Sequence, residues 1–109
     1  MEKYEFKYIN DMEEWETEIN TKGKIIVDFF ATWCRPCKQL DKQILKAKEK
    51  YPELKIYKVD IDEADEVSDN FEVENLPTVY FYKDGVKMTF FMGSKYDLFH
   101  KKIDELMAS

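Results

Sequence analysis

The chain has 109 residues and a formal net charge of −6 at pH 7, with 44% hydrophobic and 16% aromatic residues. This length is typical of one domain, and we expect residues 1–109 to form a single domain. The apolar content argues against a disordered chain, and the acidic balance argues against a nucleic-acid-binding protein. No stretch approaches the roughly 18 apolar residues of a membrane span, so we expect no membrane association.

The N-terminal residues bear on the compartment. Residues 1–7 contain no apolar core of a signal peptide, so we expect a cytoplasmic protein. In a reducing compartment, two cysteines are more often catalytic or metal-binding than structural.

The first part of the chain predicts a strand followed by a helix. Residues 4–9 alternate apolar and charged side chains, which is typical of a half-buried strand. The helix is expected to begin after a cap at Asn10 or Asp11, and Gly23 ends this unit. The apolar stripe of the helix is Met12, Trp15 and Ile19.

The middle of the chain predicts two strands, each followed by a helix. Residues 25–31 form an apolar run that suits a strand buried on both faces, and a helix follows that ends before Pro52. Residues 54–60 predict another strand, and residues 62–70 a short acidic helix. The apolar positions of the first of these helices are Cys37, Leu40, Ile44, Ala47 and Tyr51. Those of the second are Ala64, Val67 and Phe71.

The C-terminal part predicts a hairpin and a last helix. Pro77 opens a strand over residues 78–82, Lys83-Asp84-Gly85 is a turn, and residues 86–92 return as a strand. The last helix has an apolar stripe of Leu98 or Phe99, Ile103 and Leu106. The order βαβαβαββα predicts an α/β protein, with a five-stranded mixed sheet and four helices in a three-layer α/β/α sandwich.

The most informative segment is Trp33-Cys34-Arg35-Pro36-Cys37, which contains the only two cysteines. Thiols three positions apart at the start of a helix lie on one face, within the Cα separation that a disulfide requires. Such a pair can close and reopen without moving the fold, which is the chemistry of disulfide exchange. The segment follows the second strand, at the carboxyl edge where open α/β sheets place their sites.

The start of this helix assigns different roles to the two thiols. Unpaired backbone N–H groups and the helix dipole favour a thiolate there. We expect Cys34 to be more exposed and to attack the substrate, and Cys37 to resolve the mixed disulfide. Pro36 suits the first helical turn and stiffens the ring. Arg35 either favours the Cys34 thiolate and attracts acidic partners, or is a solvated side chain whose charge is screened.

Asp28 is a carboxyl group within an apolar strand. Burial is expected to raise its pKa, and such a group can accept and return the Cys37 proton. Lys58, on a strand expected to lie adjacent, would partly balance its charge. The alternative is that Asp28 lies at the solvated end of its strand.

A metal site is not expected. Structural zinc usually has four Cys or His ligands, and the chain offers Cys34, Cys37 and a single histidine, His100. The ligand count leaves open an iron–sulfur cluster shared between two subunits.

Several segments in register resemble the thioredoxin family over essentially the whole chain. Residues 27–38 resemble the family's active-site segment, and Leu76-Pro77-Thr78 resembles its cis-proline segment. Lys83-Asp84-Gly85 and Gly93 lie where the family has its late glycines. The resemblance implies the thioredoxin fold over residues 1–109.

The resemblance also implies the roles of individual residues. Cys34 would be the attacking and Cys37 the resolving cysteine, with Asp28 as the buried carboxylate and Lys58 as its neighbour. Pro77 would be cis and would present the Leu76 backbone to a substrate peptide. The implied docking surface is Trp33, Leu76, Pro77, Met92 and Gly93.

The activity that the resemblance implies is protein-disulfide reduction without a bound cofactor. A flavoprotein thioredoxin reductase would return the electrons, ultimately from NADPH, and the targets would be disulfide-containing proteins. We expect a monomer. The alternatives are a dedicated electron donor to one partner such as a peroxiredoxin, a disulfide oxidant or isomerase, and a non-catalytic binding module.

Three positions depart from the family pattern. Arg35 stands where the family has a glycine. Arg35 and Pro36 lie between the two cysteines, and both are expected to tune the redox potential. Phe30 stands where many members have tryptophan. Lys42 replaces a proline that bends the helix, so we expect a straighter helix.

Overall fold

The computed structural model describes residues 6–71 and 73–109. Within these residues, five strands and four helices follow the predicted order βαβαβαββα. The strands are β1 Lys7–Tyr8, β2 Lys24–Phe30, β3 Lys55–Asp60, β4 Thr78–Lys83 and β5 Val86–Met92. The helices are α1 Met12–Ile19, α2 Arg35–Lys50, α3 Asp65–Asn70 and α4 Tyr96–Ala108.

The strands form one mixed sheet in the order β1-β3-β2-β4-β5. Strands β1 and β2 both run parallel to β3, whereas β4 pairs antiparallel with β2 and β5. Strands β4 and β5 are antiparallel and consecutive in sequence, so a tight turn joins them as a hairpin, whereas parallel neighbours need crossover connections. The predicted mixed sheet is confirmed.

The side chains of β2 alternate between two apolar cores, one on each face of the sheet. Val27 and Phe29 pack with Trp15 of α1 and Val67 of α3. Ile26 packs on the opposite face with residues of α2 and α4. Helices therefore cover both faces, which confirms the three-layer arrangement and buries β2 throughout its centre.

The predicted first strand is longer than the observed one. Of residues 4–9, residues 4 and 5 lie outside the described part, and β1 contains only Lys7 and Tyr8. Tyr8 is 51% exposed because β1 is an edge strand and the tyrosine ring packs edge-on against Phe30 rather than into the core. The prediction of a half-buried strand is therefore wrong for β1, and Ile9 is the buried residue of this segment.

The third helix begins at Asp65, later than the predicted Asp62. Asp60 explains the difference, because its side chain accepts the Asp62 N–H at 3.0 Å and its carbonyl accepts the Ala64 N–H at 2.7 Å. These bonds form a turn between β3 and α3, as aspartate side chains often do. In the last helix, Phe99 is the buried member of the predicted pair and Leu98 is exposed.

Candidate active site

The chain enters α2 through a turn that places Cys34 at the N-cap. The Cys34 N–H donates to the Ala31 carbonyl at 3.1 Å, and the Cys37 N–H donates to Cys34 Sγ at 3.2 Å. Pro36 is in the first turn, where its missing N–H leaves no helical bond unmade. Cys34 therefore occupies the position at which helices usually have an oxygen acceptor.

Cys34 and Cys37 are joined by a disulfide with a Cα–Cα distance of 5.3 Å. Both are buried, with 5% of Cys34 and 2% of Cys37 exposed. The expected difference in exposure is small in this oxidised form. They pack on Ala31, with Ile61 and Leu76 around them.

A cleft distinguishes the two cysteines, because Cys34 lines it and Cys37 does not. The segment 33–36 forms one side of the cleft, and Ile61 with residues 73–76 forms the other. The exposed Arg35 side chain therefore borders the same opening as Cys34. Of the two cysteines, Cys34 is therefore the one that borders this opening.

Trp33 forms the rim of this cleft. It is 70% exposed, and its indole N–H donates to Asp62 Oδ2 at 2.9 Å. This bond orients a large apolar surface beside Cys34. Asp62 was not predicted as a site residue from the sequence, although an acidic residue just beyond the carboxyl end of a neighbouring strand was a usable signal.

The other proposed docking residues continue from the cleft. The Leu76–Pro77 peptide bond is cis, and Pro77 itself is buried. Its carbonyl accepts the Gly93 N–H at 3.2 Å. Met92 is 46% exposed and lies opposite Thr78 in the β4–β5 pairing. The structure thus places Leu76 in the cleft and joins Gly93 to Pro77, whereas their role in binding stays a prediction.

Asp28 lies at the centre of the sheet, paired in register with Lys58 on β3 and Val79 on β4. Its side chain is completely buried, so the predicted alternative of a solvated position is wrong. Burial raises the pKa of Asp28 to about 8, although the nearby Lys58 charge acts to lower it. A carboxyl with such a pKa can gain or lose a proton near neutral pH.

Lys58 contacts two carboxylates at unequal distances. Its Nζ lies 3.6 Å from Asp28 Oδ2 and 2.6 Å from Asp41 Oδ1. The ammonium also lies 4.3 Å from the centroid of the Phe30 ring and 4.7 Å from that of Phe6. The expected proximity of Lys58 to Asp28 is confirmed. Asp41 was missed, although it follows Cys37 by four residues on the same helical face.

The described residues contain no group of three or more His, Cys, Asp or Glu that could hold a metal ion. His100, the third candidate ligand, lies on α4 and its Nε2 is 2.8 Å from Gln43 Oε1. Among the helices in the described part of the chain, none combines the length and apolar character needed to cross a membrane.

Comparisons with known proteins agree with this geometry. The Thioredoxin family model matches residues 6–105. A thioredoxin from Ophiophagus hannah is 34% identical over 103 residues, which are 93% of this chain and 98% of the relative. The oxidised form of mitochondrial thioredoxin 3 from Saccharomyces cerevisiae has a TM-score of 0.87 and 30% identity, covering 93% of this chain and 95% of that one.

A second solved chain comes from a study of thiol resolution in a yeast mitochondrial 1-Cys peroxiredoxin through the glutathione and thioredoxin systems. It has a TM-score of 0.87 at 29% identity and covers 93% of this chain and 95% of its own. The family match, the shared fold and the Cys34–Cys37 disulfide lead to one conclusion. This chain belongs to the thioredoxin family and is a thiol–disulfide oxidoreductase.

Proposed function

We propose that the chain reduces disulfides in other proteins in two exchange steps. The Cys34 thiolate attacks one sulfur of the target disulfide, whose S–S bond breaks as a mixed disulfide forms and the leaving thiolate takes up a proton. The Cys37 thiolate then attacks Cys34 Sγ, which forms the Cys34–Cys37 disulfide and releases the second target thiol. Two electrons pass to the target, and the chain ends oxidised.

The observation that carries this proposal is the position of Cys34 Sγ at the N-cap of α2 beside an open cleft. A thiolate there is stabilised by the helix end and by the Cys37 N–H, an effect for which thioredoxins are a standard example. The exposed Arg35 adds a positive charge next in sequence, and Pro36 restricts the turn. We propose that these two residues tune the redox potential.

Asp28 is proposed as the group that accepts the Cys37 proton before resolution and returns it afterwards. Its pKa of about 8, caused first by burial, supports proton exchange near neutral pH. Lys58 modulates this exchange, because its positive charge 3.6 Å away favours the ionised form of Asp28.

The proposed docking surface consists of Trp33, Leu76, Pro77, Met92 and Gly93. Trp33 and the half-buried Leu76 line the cleft beside Cys34, and their apolar side chains would hold an extended target peptide while its disulfide reacts. Trp33 contributes the largest exposed area, and large aromatic side chains are frequent in the most important positions of protein interfaces.

The wider setting is also a proposal. A thioredoxin reductase would regenerate the dithiol with electrons from NADPH, so the chain itself needs no bound cofactor and contributes to cellular redox homeostasis through electron transport. We propose that residues 1–109 act as one monomeric domain. Its dithiol requires a reducing compartment such as the cytoplasm.

Dithiothreitol-driven reduction of insulin tests this function. We expect turnover by the natural chain and none by Cys34→Ser. A folded natural chain with no turnover above the uncatalysed rate would contradict general disulfide reduction.

A dedicated electron donor is the second candidate, because Arg35 borders the cleft where the family pattern has glycine. The structural relative from the peroxiredoxin study makes a peroxiredoxin a reasonable target. Arg35→Gly and the natural chain would be compared on insulin and on an oxidised peroxiredoxin. A dedicated donor predicts peroxiredoxin turnover without insulin turnover, and a gain in insulin turnover on removal of Arg35.

A further inference from the structure

Lys58 donates a hydrogen bond to one carboxylate and only approaches the other. The 2.6 Å distance to Asp41 Oδ1 is that of a short, charge-assisted hydrogen bond. The 3.6 Å distance to Asp28 Oδ2 is too long for a normal one. The Lys58 ammonium is therefore hydrogen-bonded to Asp41, and it interacts with Asp28 through charge alone.

Asp28 is left without a donor as a result. Within the described residues, neither of its carboxylate oxygens has a hydrogen-bond partner, and both are buried. An ionised carboxylate in such surroundings is costly, so the protonated form is favoured. Lys58, its register partner on β3, donates its hydrogen bond to Asp41 instead.

The surroundings of Lys58 explain why it can point toward Asp41. Its side chain is 4% exposed, whereas that of Asp41 is 30% exposed. Asp41 therefore keeps contact with water and avoids the full cost of burial. The rings of Phe30 and Phe6 enclose the ammonium and add favourable cation–π contacts.

The charged groups that act on Asp28 come from two elements. Lys58 lies on β3, and Asp41 lies on α2 with the proposed proton partner Cys37. On β4, the residue paired with Asp28 is the apolar Val79. Asp28 is therefore influenced by the positive charge of Lys58 and the negative charge of Asp41. Lys58 is hydrogen-bonded to Asp41 and not to Asp28.

We propose that Asp41 is a positioning residue of the exchange reaction, which holds the Lys58 ammonium away from Asp28 and so keeps the Asp28 carboxyl available for the Cys37 proton. The proposal rests on the proposed role of Asp28 in resolution. It adds that the residue one helical turn after Cys37 controls how strongly Lys58 acts on that carboxyl.

Loss of the Asp41 charge acts on Asp28 in one direction by two routes. Repulsion between the two carboxylates raises the pKa of Asp28, and this repulsion disappears. Lys58 is also released and can donate to Asp28, which stabilises the ionised form. Asp41→Asn should therefore lower the pKa of Asp28.

The test is an NMR titration of the Asp28 side-chain carboxyl carbon in the natural chain, Asp41→Asn and Asp41→Glu. We expect the midpoint to fall by about one pH unit in Asp41→Asn, and Asp41→Glu to restore most of the natural value. Glu49→Gln is the matched control, because it removes one exposed negative charge from the same helix. An unchanged or higher midpoint in Asp41→Asn would overturn the proposal.

A second pair of variants tests whether Asp41 acts through Lys58. In a Lys58→Met background, the shift caused by Asp41→Asn should fall to half or less, since only direct repulsion remains. Equal shifts in both backgrounds would contradict the positioning role. Lys58→Gln replaces Lys58→Met if the latter does not fold.

The titration needs no target protein, so its result is independent of reductase activity. The pH profile of mixed-disulfide resolution is the second readout, and it should move with the Asp28 midpoint. A shifted midpoint with an unmoved profile would support the positioning of Lys58 and contradict proton transfer by Asp28.

Discussion

The two helices that begin with a side-chain cap, α1 and α2, solve the same problem with different atoms. At α1, Asp11 Oδ1 accepts the Glu14 N–H at 2.8 Å, and Glu66 Oε1 of α3 accepts the Met12 N–H at 3.1 Å. At α2, Cys34 Sγ accepts the Cys37 N–H at 3.2 Å. Oxygen acceptors are the usual choice because they stabilise the helix end.

The first turns differ in charge as well. Glu13 and Glu14 lie in the first turn of α1, where negative charges match the helix dipole. The first turn of α2 has no acidic residue. The partial positive charge at the start of α2 is therefore not offset by an acidic side chain in the first turn. We propose that this charge stabilises a Cys34 thiolate and so serves reactivity, whereas the start of α1 serves stability.

The largest predicted effect follows from replacing the sulfur cap with an oxygen cap. Cys34→Ser should abolish insulin reduction. The free energy of unfolding of Cys34→Ser should equal that of the reduced natural chain or exceed it by a few tenths of a kcal/mol, since serine is a good N-cap. Urea unfolding in dithiothreitol measures the second quantity. A large loss of stability would mean that the thiol, and not only its reactivity, maintains the start of α2.

The next largest effect concerns Asp28, whose carboxyl is completely buried in β2. With a pKa of about 8 in the folded chain against 3.8 as the ordinary value, folded Asp28 stays protonated while unfolded Asp28 ionises. Its stabilising contribution is complete below about pH 4 and is lost as the pH rises to about 8, by up to about 1.4 kcal/mol per pH unit.

Asp28→Asn should remove this slope and be the more stable protein near the upper end of that range. Urea unfolding at several pH values checks it, with Asp69→Asn, an exposed change of the same charge on α3, as control. Parallel pH dependences for the natural chain and Asp28→Asn would show that Asp28 is not protonated in the folded state. Asp28→Asn should also slow mixed-disulfide resolution, which stopped-flow kinetics would measure.

Arg35 adds a positive side-chain charge to the first turn of α2, beside Cys34. Arg35→Gly should raise the pKa of the Cys34 thiol by a few tenths of a unit to one unit, because a positive charge beside the thiolate is lost. Thiolate absorbance against pH measures the change. Arg35→Lys keeps the charge and should titrate like the natural chain, and added salt should narrow the difference. Identical titration curves for all three proteins would show that solvent screens the Arg35 charge and that it does not affect the pKa of Cys34.

The smallest effect concerns the cap of α1. Asp11→Ala should reduce the free energy of unfolding by about 1 kcal/mol and leave insulin reduction unchanged. Asp11→Ser keeps an oxygen acceptor and should retain most of the stability. Loss of activity in a folded Asp11→Ala protein would contradict the separation between the two helix starts.

The strongly periodic parts of the fold were predictable from the sequence. The spacing of Leu40, Ile44 and Ala47 identified α2, and the apolar run around Val27 identified a strand buried on both faces. The start of α3 was missed, because it depends on hydrogen bonds that the Asp60 side chain and carbonyl accept from the residues that follow. The alternating pattern around Tyr8 predicted a half-buried strand, but Tyr8 is exposed because an edge strand does not have to bury its apolar face.

The site was predictable to a similar degree. The cysteine spacing indicated the chemistry, and an aspartate in an apolar strand indicated a perturbed carboxyl. The sequence did not indicate that Lys58 would turn from Asp28 to Asp41, since the choice depends on an ångström of distance between two carboxylates. The bond between Trp33 and Asp62 depends on side-chain orientation in the same way.

Trapping of the mixed disulfide would identify the nucleophile, which we propose is the thiol at the cap of α2. The reduced forms of Cys37→Ser and Cys34→Ser would each be mixed with insulin and separated without reductant. We expect a covalent adduct through Cys34 to accumulate in Cys37→Ser, and no comparable adduct in Cys34→Ser. An adduct that accumulates preferentially through Cys37 would contradict it.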